Sequence, residues 1–121
     1  MLLFVLLMGV QANDVAARAR DWARKAEVVA SCKSDNECAE KWKAAGSWIQ
    51  TNSRFQIAVN QPDILATYPP VYADTGLSFV IEKRAHPAGG FDIAARAWCG
   101  NVFKCNPKPK RAIEDLRSAL R

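Results

Sequence analysis

Histidine is the scarcest chemical resource of this 121-residue chain: His86 is the only one. A two-histidine ribonuclease mechanism is thereby excluded, and so is a His-rich metal site. His86 stands between Ala85 and Pro87, just before Ala88-Gly89-Gly90. That setting predicts a solvated turn residue rather than a general base. No Ser occupies a Gly-x-Ser-x-Gly elbow, and neither a Gly-rich phosphate loop nor a dinucleotide fingerprint is present. No apolar run reaches the roughly 18 residues that a spanning helix requires. With 6 Gly and 6 Pro, the chain is neither collagen-like nor low-complexity. Its 50% apolar and 24% charged content excludes wholesale disorder.

The first twelve residues, Met-Leu-Leu-Phe-Val-Leu-Leu-Met-Gly-Val-Gln-Ala, carry no charge. Leu2 to Val10 has the length of a signal-peptide apolar core. Val10 and Ala12 are the small residues that signal peptidase prefers before its cut. The expectation is a signal peptide over 1–12, cleaved after Ala12, with 13–121 as one small domain. Two features depart from the pattern: no Lys or Arg precedes the apolar core, and the leader is shorter than the usual roughly 15–30 residues. The competing reading is a buried N-terminal strand or helical turn. No Cys follows the small residues, which argues against a lipid-anchored lipoprotein.

The four cysteines form two identically spaced pairs, Cys32 with Cys38 and Cys99 with Cys105. Three connectivities are open. The local pairing is favoured because Ser34, Asp35 and Asn36 in one ring, and Gly100 and Asn101 in the other, let the chain turn back. By chain entropy each seven-residue ring is worth about 2.4 kcal/mol, whereas crossed pairing would close far longer loops. A four-thiolate zinc site fits less well, because zinc ligands are usually separated by two to four residues, and here the intervening residues number five. Neither pair is a Cys-x-x-Cys redox motif. Paired structural cysteines belong to an oxidising compartment, the periplasm or the extracellular space.

The periodicity predicts an amphipathic helix over 14–30, with Val15, Ala19, Trp22, Ala26 and Val29 on one stripe. A second helix is predicted over 37–51. The period then changes to two, giving strands over 54–60 and 64–68. Residues 77–84 and 91–98 read as an antiparallel hairpin joined by the His86–Gly90 turn. A last short helix is predicted over 110–121, with Ile113, Leu116 and Leu120 inward. The fold class is therefore α+β: a small antiparallel sheet of three to four strands, covered on one face by helices and stapled by two disulfides.

Glu82 and Asp92 lie in facing strands and are the one candidate carboxylate pair for a hydrolase of the glycosidase kind. Lys83, Arg84 and Arg96 offer the blander reading, cross-strand ion pairs. Among four tryptophans, Trp22 and Trp42 read as core anchors, while Trp48 and Trp98 are candidate exposed aromatics for gripping a partner. Net charge is +5, and residues 104–121 supply +4 of it. Lys104, Lys108, Lys110, Arg111 and Arg117 are accordingly the candidate anion-binding set. Lys108-Pro109-Lys110-Arg111 places cations at a helix start, where the macrodipole favours anions. A solvated basic tail is the plainer explanation. Nucleic acid is disfavoured, since no stacking motif interleaves these cations.

The composite reading is an exported, non-enzymatic binding protein, and it implies no cofactor. Its partner is expected to be an envelope or extracellular protein. The alternative is attachment to anionic lipid or polysaccharide through the basic C-terminal segment.

Overall fold

The computed structural model describes residues 15–121, so the expected signal peptide and its cleavage site lie outside the described residues. Helix α1 runs over 15–23, and β1 follows at Glu27–Cys32. Next come α2 (Asp35–Asn52), β2 (Ile57–Gln61), β3 (Ile64–Thr67), β4 (Ser78–Ala85), β5 (Phe91–Trp98) and α3 (Pro109–Ala119). One antiparallel sheet has the order β1-β5-β4-β3-β2. The α+β class and both local disulfides are as expected. The sheet has five strands rather than three to four.

The added strand is β1, which the apolar spacing assigns to the first helix. That helix ends instead in a turn at Arg24–Ala26, where Ala26 N–H donates to the Ala23 carbonyl at 3.0 Å. Val28 and Val29 favour the extended backbone that follows. α2 is started by Ser34, whose hydroxyl accepts from Glu37 N–H at 3.1 Å. The Glu37 carboxylate in turn accepts from Lys33 N–H at 2.7 Å. The pair is a variant of the capping box, in which the glutamate reaches the N–H of the residue before the N-cap.

Helices cover both faces of the sheet rather than one. Leu65, Phe79, Ile81, Ile93 and Ala95 pack with Ile49 of α2 and Ile113 and Leu116 of α3 in the larger core. The alternate positions Ile64, Ala66 and Val80 pack against Ala19 and Ala23 of α1 in a smaller one. This two-sided burial explains why β3 and the first half of β4 are buried without alternation. Two buried polar side chains are matched: Ser78 Oγ donates to the Tyr68 carbonyl at 2.7 Å, and Thr67 Oγ1 accepts from Phe79 N–H at 3.0 Å. Beyond the apolar patch, the α1 face of the sheet is ionic. Arg84 and Arg96 donate to the Ala23 and Trp22 carbonyls at 2.6 and 3.2 Å, closing the end of α1.

Candidate binding surface

The two disulfide rings sit at opposite ends of β5. Cys32 pairs with Phe91 in the β1–β5 register, so the Cys32–Cys38 ring lies at the start of β5. Cys99 directly follows β5, and the Cys99–Cys105 ring continues from its far end.

At the start of β5 the polar residues are spent on one another. Asp92 Oδ1 accepts from the Ser31 hydroxyl at 2.6 Å and lies 2.8 Å from His86 Nδ1. These two contacts, the serine's first, hold the Asp92 carboxyl below its ordinary range. By residue type this is Ser, His and Asp. By order of contact it is not a nucleophilic relay, because the carboxylate stands between serine and imidazole. His86 is thus a half-buried turn residue with a carboxylate partner, more engaged than the solvated position expected for it.

The candidate carboxylates are likewise engaged, Glu82 by arginines and Asp92 by the Ser31 hydroxyl and His86. Glu82 faces Ala94 in the β4–β5 register, and Asp92 faces Arg84. Glu82 meets Arg84 at 2.8 Å and Arg20 at 3.8 Å. Arg20 also pairs with Asp63 at 3.1 Å, and this hydrogen bond lowers the Asp63 pKa. These are ion pairs along β4 and between α1 and the sheet, not the cross-strand pairs with Lys83, Arg84 and Arg96 expected from the sequence.

Neither candidate aromatic is freely exposed. Trp48 is half-buried and meets Phe79 edge-on, with ring centroids 5.4 Å apart. Trp98 is half-buried against Trp22 at 5.2 Å, with the Arg96 guanidinium 4.6 Å from its ring centroid. The two indoles cover the α1 face of the sheet beside the smaller core, where each gains more by packing than by exposure.

The far end of β5 is built differently. The ring residues Val102 and Phe103 are 84% and 93% exposed, and Tyr72, in the adjacent loop, is 89% exposed. Val71 is exposed as well. These chains are held rather than dangling. Asn101 Oδ1 accepts from both Phe103 N–H (2.9 Å) and Lys104 N–H (3.0 Å). Asn101 Nδ2 donates to the Ala73 carbonyl at 2.9 Å, and Ala73 N–H donates to the Gly100 carbonyl at 3.0 Å. Gly100 lies so close to the neighbouring loop that a Cβ there would sit 2.0 Å from the Val71 carbonyl oxygen. Ala73 takes φ +68°, a left-handed conformation that disfavours a side chain. Sequence reading overlooked these apolar residues. The available signal was Val-Phe inside a seven-residue ring, which is too small to bury its own side chains.

The cationic set divides three ways. Lys104, Lys108 and Lys110 are exposed and border the same shallow depression as Phe103. None of them forms an ion pair with another described residue. Arg111 pairs with Asp115 one turn along α3 at 3.3 Å. Arg117 is a structural tie: it bonds Glu114, Glu27 (3.1 Å) and the Val28 carbonyl (3.1 Å), joining α3 to β1. Its pKa is raised by the hydrogen bonds to Glu114 and then Glu27. Asp74, the acid on the Tyr72 loop, is matched by Arg54 at 2.7 Å.

Among the described residues no helix is long and apolar enough to cross a membrane. Comparison with protein-family models, with curated proteins and with solved structures yields no match.

Proposed function

We propose that this chain is an exported, non-enzymatic binding protein of the periplasm or extracellular space, and that the paired loops at the end of β5 are its binding surface. The observation that carries the reading is the near-complete exposure of Val102 and Phe103 on a ring held by a disulfide and by Asn101. Large apolar side chains held out in water by a rigid frame gain from a partner and lose little entropy on binding it. Two paired disulfides are compatible with export. Glu82 is matched by Arg84 and Arg20, and Asp92 by the Ser31 hydroxyl and His86, which favours a binding role over catalysis.

The test is retention of envelope or extracellular components on immobilised, oxidised protein. The double variant Val102→Ser/Phe103→Ser is expected to lose the retained component while keeping the fold. Equal retention by the variant and the parent would sink the reading.

A further inference from the structure

We infer that the paired loops are an interfacial anchor for an anionic lipid bilayer, with Phe103, Val102 and Tyr72 entering the headgroup region and Lys104, Lys108 and Lys110 meeting lipid phosphates. This rests on the proposed function and names the partner of that same surface.

Shape favours the occupant. Phe103 is 93% exposed and stands at the rim of shallow, open depressions rather than inside a groove that would enclose a peptide. A bilayer interface accepts such a tip without a matching cavity, and it accommodates amphipathic aromatics such as Tyr72 at headgroup depth.

Charge favours it too. The Cys99–Cys105 ring contains no acid, α3 has none in its first turn, and Asp74 is neutralised by Arg54. The three lysines therefore present an unopposed positive field. Lys104 directly follows Phe103, so inserting the ring carries its ammonium to phosphate level while the stem lies along the apolar layer.

The backbone of an inserted loop is the usual obstacle, since unpaired N–H groups are costly away from water. Here Phe103 and Lys104 N–H already donate to Asn101 Oδ1, and Asn106 N–H donates to the Thr75 carbonyl at 2.9 Å. The tip carries its own hydrogen-bond partner into the interface. Neither a few apolar side chains nor three lysines anchor firmly alone, but the two contributions together give reversible attachment.

The experiment sediments the full oxidised chain with vesicles of equimolar phosphatidylglycerol and phosphatidylcholine, and with phosphatidylcholine alone. Binding is expected to the anionic vesicles only and to weaken as salt rises. Phe103→Ala is expected to weaken it about tenfold, and Lys104→Gln/Lys108→Gln/Lys110→Gln about a hundredfold. All four positions are exposed, so circular dichroism should show the parent fold. Phe103→Trp supplies a depth reporter: brominated acyl chains should quench its added emission and leave the parent's emission unchanged. Absence of anionic-vesicle binding, binding indifferent to Phe103→Ala, or an unquenched reporter would each overturn the inference. If vesicles are ignored while a protein is still captured through Phe103, the bilayer is the wrong partner and the proposed function stands. If nothing depends on Phe103, both fall.

Discussion

The rings at the two ends of β5 share a spacing and almost nothing else. Cys32 and Cys38 are 2% and 3% exposed, and a helix cap, a hairpin turn and a hydrogen-bonded carboxylate lean on their ring. Cys99 and Cys105 are half-buried, and their ring holds apolar side chains away from the protein. Equal loop length predicts equal entropic stabilisation, so the contrast lies in what each crosslink supports. One end of the strand consolidates the fold, and the other holds a surface in place.

The sharpest way to break that contrast is to remove each crosslink in turn. Cys32→Ser/Cys38→Ser should cost about 4 kcal/mol, since it loses the ring and leaves polar atoms in an apolar site. Cys99→Ser/Cys105→Ser should cost about 2 kcal/mol. Denaturant unfolding of both variants measures this, and equal losses would erase the distinction.

A backbone version of the comparison uses Gly90 and Gly100. At Gly90 a Cβ would lie 2.1 Å from the Cys32 carbonyl oxygen, and φ is +76°. Gly90→Ala should therefore cost about 2–3 kcal/mol. Gly100→Ala meets an equally close backbone carbonyl, but no positive φ adds to the clash there. It should cost about 1 kcal/mol, with faster hydrogen exchange at Ala73, whose partner is the Gly100 carbonyl.

Acid should loosen the start of β5. The Asp92 carboxyl is held below its ordinary range, first by the Ser31 hydroxyl and then by His86. The stability this adds is complete above the unfolded carboxylate pKa of about 3.9, and is lost as pH falls through the lower folded value. Asp92→Asn should flatten the acid limb of thermal stability between about pH 5 and about pH 2. An unchanged limb would contradict the assignment.

The smallest expected effect is the most telling. Phe103→Ala should change folding stability by no more than about 0.5 kcal/mol. The same truncation at buried Phe79 should cost about 3–5 kcal/mol. A large loss at Phe103 would mean that it packs against the fold.

Much of this architecture was legible in the residues. The hairpin emerges almost to the residue, because period-two apolar positions flank a Gly-rich turn. α2 and α3 emerge within two residues at either end. β1 escaped because Val29 continues the helical stripe of α1, and only Val28-Val29 together with pairing to β5 decides for a strand. The second covered face escaped because Trp22 and Trp98 lie far apart in sequence, so nothing local marks their contact. Arg117 read as a free cation although Glu114 stands three residues before it on α3; only its tie to Glu27, 90 residues away, has no local mark. The lysines of the candidate surface were legible as charge, whereas the exposed apolar residues beside them break no periodic pattern.

β5 is laddered to β4 along its whole length and to β1 over residues 91–95, and it leads directly into the Cys99–Cys105 ring. A pull on the tip of that ring runs parallel to the strand and meets both ladders in shear, with many hydrogen bonds loaded at once. Traction at this point would therefore be resisted by the middle of the sheet, rather than peeling away a peripheral strand bond by bond.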